Sequence, residues 1–418
     1  MRSTILYLFL FLLFVALPLQ AQFMQSHSSR VRSLQMVLND DVQAPPVMRL
    51  GADDVLCFSF DEMSHDYHRF TYKITHCNYR WEPSDVFEID YLDGFNDMPI
   101  EEWENSENTT VLYTNYSFTI PNENVGLKLS GNYKVEIVDD ETDEEPVAEF
   151  RFSVVEPRVA LSAAVSGNTD IDMNRTHQQV SFTVHHPKYN ISNPAGEVYA
   201  VVYQNRRFDN AVTDIKPTHI TGNSLQYVYN EKLIFDAGNE YRRFEITDPD
   251  VPGMNVAAVG YSEPYYHAEL YTDAPQKFHS TQRDENGRYF VNTLEGYGTD
   301  IEADYLFVHF TLDVPRRDGG NYYLLGDFCG NTFGSDNKMI YDAANGVYRI
   351  STLLKLGLYN YSYVWLPDGG GSAESESAEG NFYDTDNEYL ILIYHREFAS
   401  RYDKLIGVGR VDYKLQNN

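Results

Sequence analysis

Cysteine is nearly absent: Cys57, Cys77 and Cys329 are the only three in 418 residues. The chain is therefore not a disulfide scaffold, and an odd count leaves at least one thiol unpaired. An oxidising compartment permits a bridge, and Cys57–Cys77 is the only pair close in sequence. The place of Cys57 inside a strand pattern weighs against it. Positive charge is also scarce, since 32 Lys and Arg face 62 Asp and Glu for a net charge of −30. Phosphate backbones and anionic lipid surfaces repel such a chain, which argues against a nucleic-acid or lipid role. The charge suits an exported soluble protein or one that faces a basic partner.

Catalytic and metal-binding motifs are missing as well. Nucleophile elbows, H-E-x-x-H and C-x-x-C pairs, P-loops and dinucleotide fingerprints do not occur. Two strings look calcium-like, Asp170-Ile171-Asp172-Met173-Asn174 and Asp384-Thr385-Asp386-Asn387-Glu388. A helix-flanked calcium loop needs glycine at position six and glutamate at position twelve. Arg175 and Ser181 stand there in the first string, Tyr389 and His395 in the second. Turn formation by Asp and Asn is the better reading of both. His76-Cys77 near Trp81, and His185-His186, lack a second ligand pair at usable spacing. The expectation is no catalytic residue, no metal and no cofactor.

What the chain has, first, is an apolar run from Ile5 to Leu17 behind Arg2, followed by Pro18-Leu19-Gln20-Ala21. A short basic region, an apolar stretch too short for a ~20-residue span and a small residue before a polar one describe a cleaved secretory signal. No cysteine near the site supports a lipid anchor, and no later run approaches membrane length.

Beyond it, alternation dominates and helical spacing is absent. Aromatic content of 14%, with 33 tyrosines and 24 phenylalanines, fits half-buried pleated sheets. Leu56, Phe58 and Phe60 share one face of a strand, as do Tyr116, Phe118 and Ile120 before the turn Pro121-Asn122, and Tyr133, Val135 and Ile137 after Ser130-Gly131. Val198 to Tyr203 and Tyr389 to Tyr394 read as strands buried on both faces. Leu306, Val308, Phe310 and Leu312 form another face, and Tyr359, Tyr361, Tyr363 and Trp365 one more. Glu156-Pro157 and the polar stretch from Pro275 to Gly298 look like boundaries. The predicted fold is all-β, with antiparallel sandwiches in series. The predicted division is a signal peptide 1–21, a first sandwich 22–156, a middle β domain 157–280 and a C-terminal sandwich 281–418.

Several strings taken together resemble the plug protein family of the bacterial type IX secretion system. They include Tyr72 to Cys77 with Asn78 and Trp81, Tyr91-Leu92-Asp93-Gly94-Phe95, Ser130-Gly131-Asn132-Tyr133, Gln204 to Asn210, Asn239 to Arg242, Gly357 to Tyr361, and Asp386 to Tyr389. The resemblance spans nearly the whole mature chain in order. Lys355-Leu356-Gly357-Leu358 is less polar than the family pattern, and Asp384-Thr385 also departs from it. The resemblance implies a non-enzymatic periplasmic protein that binds the periplasmic mouth of the outer-membrane translocon barrel and seals it, and one copy per barrel is expected. Candidate partner-contact residues are His76, Asn78, Trp81, Tyr91 and Phe95, in the least regular part of the first unit, with packing of that loop on its own domain as the alternative. Gln204, Asn205, Arg206, Asn210 and Arg242 are expected to form a structural polar network at a domain junction, since buried polar groups must be paired. A rival reading is an exported carbohydrate-binding sandwich. Gly326-Asp327-Phe328 with Gly357 to Tyr361 faintly resembles such modules, although Cys329-Gly330 stands where their exposed tryptophan belongs. A hydrolase with unrecognised residues is a further rival.

The mature protein is expected to begin at Gln22. N-terminal sequencing of the exported chain checks this, and a membrane-bound form retaining Ile5 to Leu17 would contradict it.

Overall fold

The computed structural model describes residues 22–141, 145–294 and 299–413. The predicted signal peptide lies outside the described residues. Within them the chain forms three β-sandwiches. Each first arises where alternating apolar residues give a strand one buried face.

In the first sandwich, one sheet runs in the order Val31–Leu38, Leu56–Glu62, Thr114–Ile120 and Glu102–Asn105. The facing sheet runs Met24–Ser26, Pro146–Val155, Gly131–Asp139, Phe70–Cys77 and Met98–Pro99, and Val47–Arg49 joins Pro146–Val155 in parallel. Leu56, Phe58, Phe60, Ile74, Tyr116, Ile120 and Val135 are fully buried between the sheets. Phe58 stacks on Phe118 at 4.9 Å, and Phe118 on Tyr72 at 4.6 Å, so an aromatic stack crosses the layer. The thiols of Cys57, Cys77 and Cys329 are all free.

The second sandwich pairs the sheet containing Ala160–Ser166, His177–His185 and Ser224–Tyr227 with the sheet Val198–Gln204, Glu388–His395 and Lys404–Asp412. The third is built from Arg242–Ile246, Tyr289–Val291 and Gly320–Leu325 along the long strand Gly357–Pro367, facing Val256–Ser262, Tyr265–Leu270, Tyr305–Leu312, Val347–Lys355 and Ile340–Asp342. The third is thus inserted into the second. The predicted division at 280 falls inside the third sandwich, and the last two strands of the predicted C-terminal domain belong to the second. The physical reason lies in Glu388–His395, which is apolar on both sides. Tyr389, Ile391 and Ile393 enter the second core, while Leu390, Leu392 and Tyr394 pack with Tyr79, Val155 and Tyr203 in a separate cluster that joins the first sandwich. A strand covered on both faces needs a sheet behind it and a domain in front of it.

The first and third sandwiches meet through a buried ion pair. Lys355 Nζ lies 2.6 Å from Asp61 Oδ2, and both side chains are 1% exposed. Tyr305 OH and Asn115 Nδ2 donate to the same carboxylate at 2.6 and 2.8 Å, and Lys355 also donates to Asp300 O. Lys355 sits 4.3 Å from the centre of the Tyr113 ring. Next to this pair, Asp304 accepts from the backbone N–H groups of Thr110 and Val111.

Lys355→Met should leave the Asp61 carboxylate buried without its cation and destabilise the protein by about 3–5 kcal/mol. The double variant Asp61→Leu/Lys355→Met should recover much of that loss. Chemical denaturation of the single and double variants measures both.

Candidate docking surface and domain junction

The segment from His76 to Phe95 holds the predicted contact residues, and the fold sends them in different directions. His76, on Phe70–Cys77, is 1% exposed. Its ring nitrogens meet Ser84 Oγ at 2.9 Å and the Ser130 carbonyl at 3.1 Å, and it lies edge-on to Tyr133 and Tyr402. Burial holds its pKa down at about 4, so it is neutral at physiological pH. A Cβ at Gly131 would stand 2.5 Å from His76 Nε2, which explains the glycine there. Asn78 folds the loop by accepting from the N–H groups of Arg80 and Glu82. Trp81 donates to Tyr203 OH at 3.2 Å and packs near Phe23 and Phe208, so it faces the second sandwich. Tyr91 is buried and donates to the Ile74 carbonyl. Phe95 is 73% exposed. A partner reaching this end meets Phe95, with Phe87 and Ile89 beside it in sequence at 68% and 76% exposed, rather than His76 or Tyr91.

Four of the five predicted polar residues, Gln204, Asn205, Arg206 and Asn210, lie at the junction. Gln204 donates to Asp236 O and accepts from Asn210 Nδ2, at 2.9 and 2.7 Å. Asn205 donates to Asn387 Oδ1 and accepts from the Glu388 N–H, at 2.7 and 2.9 Å. Asn205 and Arg206 both have positive φ, 49° and 58°, which turns the chain out of its strand. Arg206 then reaches the first sandwich, donating to the carbonyls of Gln43 and Ala44. Arg242 lies apart, on the third sandwich. It grips Glu379 through Nε, Asp273 through Nη1 at 2.7 Å and the Ala274 carbonyl through Nη2. Asn239, which donates to the Glu379 carbonyl, and Asn387, which donates to Ala237 O, tie the two crossing segments together.

Glu388, the last residue of the second calcium-like string, is central to this junction. Its carboxylate is 1% exposed and lies 2.9 Å from Arg288, 2.7 Å from Arg410 and 3.8 Å from Arg206. Burial, together with the nearby Arg288, pushes Arg206 down to about 10. Arg288 had no sequence signal of its own, because it lies in the polar stretch read as a linker. A cleft of about 650 Å³ opens between the first and third sandwiches, lined by Val31, Leu34, Tyr289, Phe328 and Leu354 among others. The calcium-like string at Asp172 is a closed turn, its carboxylate accepting from Thr176 and paired with His177.

Three closed sandwiches locked by internal polar groups define a β-rich protein whose buried polar chemistry serves its own junctions. Among the described residues no helix is long and apolar enough to cross a membrane. The family model for the first domain of type 9 secretion system plug proteins matches residues 31–156. A hypothetical protein from Parabacteroides merdae ATCC 43184, known from its crystal structure, is 39% identical, with a TM-score of 0.92 over 94% of this chain and 99% of that one. No curated protein matches the chain. Residues 31–156 thus form a first domain of the type IX secretion system plug family.

Glu240 and Asp284 are buried where the second and third sandwiches join. Burial, with repulsion from Asp386 on both and from Glu240 on Asp284, pushes each carboxyl up to about 7. Their folded pKa values exceed the unfolded ones, so their contribution to stability is full below about pH 4 and is lost as pH rises through 7. Glu240→Gln should flatten the fall in stability between pH 5 and 7.5, measured by denaturant midpoints across that range.

Proposed function

We propose that this protein is the non-enzymatic plug of the type IX secretion system. In this reading it sits in the periplasm, binds the periplasmic mouth of the outer-membrane translocon barrel and closes it while no cargo passes. The observation that carries the reading is the match of residues 31–156 to the plug-family first domain, in a chain that folds as one interlocked body. A stopper for a pore wide enough to pass folded proteins must not deform under a concentration gradient. Buried ion pairs join the first sandwich to the third and the third to the second, while aromatic and hydrogen-bonded contacts join the first to the second. Binding is expected to use loops at sandwich ends, because each strand spends one face on a core. The net charge of −30 suits a barrel rim that is basic.

Affinity purification from cells carrying a tagged copy should recover the giant barrel protein. A deletion strain should leak a large antibiotic that the parent excludes. No barrel and no leakage would defeat the plug reading; a barrel without leakage would keep the partner and refute the seal.

A further inference from the structure

The segment 82–97 combines two features on one short stretch of surface. Phe87, Ile89 and Phe95 are exposed apolar side chains. Interleaved with them stand Glu82, Asp85, Glu88, Asp90, Asp93 and Asp97, all exposed, with no Lys or Arg in the segment. None of these carboxylates forms an ion pair with a cation among the described residues. Nearby cations are already engaged: Lys128 donates to the Ile89 carbonyl at 2.7 Å, and Arg401 lies 5.5 Å from the centre of the Phe87 ring.

The segment is also held still from behind. The short helix Glu88–Tyr91 is capped by the Phe87 N–H bonding Asp90, and its last residue, Tyr91, is anchored to Ile74 O. Leu92 is 3% exposed. Asn96 makes a two-way bond with the Ile74 backbone at 2.8 and 2.9 Å. Gly94 has φ 107°, and a Cβ there would overlap the Asn124 carbonyl. The inward residues fix the loop, so the outward ones are presented without an ordering cost on binding. Rigid, exposed aromatic side chains are the usual anchors of an interface. Phe398, fully exposed on the second-sandwich hairpin that carries Arg401, stands close in sequence to that contact.

Resting on the plug reading, we infer that segment 82–97 is the element that docks on the translocon. Phe87, Ile89 and Phe95 enter apolar pockets on the periplasmic rim of the barrel, and the surrounding carboxylates meet a ring of Lys and Arg on that rim. Uncompensated acidic charge around an apolar centre fits a partner with the opposite rim charge.

The test uses purified mature protein and the purified translocon in detergent, followed by surface-based kinetics. The variant Phe87→Ser/Ile89→Ser/Phe95→Ser should weaken binding by about tenfold or more, chiefly through faster dissociation. The variant Asp85→Lys/Asp93→Lys should slow association and blunt its dependence on salt. All these side chains are exposed, so thermal unfolding of both variants should match the wild type; Phe398→Ser provides a second apolar variant on a separate hairpin. Wild-type binding with unchanged kinetics in the segment variants overturns this surface and leaves the plug reading standing. Absence of wild-type binding overturns both.

Discussion

Glu388 is the point on which the arrangement of the three sandwiches turns. One buried carboxylate is shared by arginines from the second and third sandwiches, and the same arginines reach back to a loop of the first. Arg206 donates to Gln43 and Ala44, and Arg288 to Gln43 at 3.4 Å. Three cations around one anion leave a positive excess at this point. Asp327 helps to balance it: its half-buried carboxyl is pushed up by desolvation and pulled down by Arg206 and Arg288. A buried charge with its partner removed costs far more than an exposed pair contributes. Separating any one sandwich therefore exposes charges that the other two need.

The inserted topology makes that node necessary. Two segments, around 236–242 and 380–388, cross between the second and third sandwiches, and each carries backbone polar groups through a region without sheet pairing. Gln178, Asn205, Asn239, Asn387 and Thr385 satisfy them: Gln178 donates to the carbonyls of Tyr383 and Thr385, and Thr385 Oγ1 donates to the Gly238 carbonyl. The asparagines and glutamines of the second unit are thus the counterpart of a sheet ladder at a place where the chain cannot make one.

How much of this was legible follows from what alternation encodes. Period-two patterning reports one buried face, so the strands at Leu56, Tyr116 and Leu306 and the all-β class could be read directly. It also marked Tyr389 to Tyr394 as buried on both faces, but it could not say which domain covered the second face, and so the insertion was hidden. Polar junction residues were legible as types near apolar strands. Their partners were not, because Asn205 and Asn387 are brought together only by the fold. The candidate surface was partly legible for the same reason. His76 and Phe95 are both non-repeating residues in an irregular loop, and sequence spacing does not distinguish a ring that plugs Gly131 from one that faces water.

Covalent connection and rigidity are distributed unevenly among the three units. The third sandwich is held to the second by two chain crossings, whereas the first is joined to the second by the single run from Val155 to Ala160. Its orientation rests on non-covalent contacts: the Asp61–Lys355 pair, the Arg206 bonds, and the aromatic group of Tyr79, Phe23, Trp81 and Tyr203. Tyr79 binds Asp403 through its N–H and Asp214 through its hydroxyl, so one residue spans two loops of the second sandwich. Aromatic packing is insensitive to salt, while the ion pair and the Arg206 bonds are shielded from it by burial. The position of the first sandwich, and with it the exposed loop 82–97, is therefore set by interactions that survive changes of ionic strength in the surrounding compartment. A surface charge field that varies with salt can then steer encounter without altering the shape that is presented.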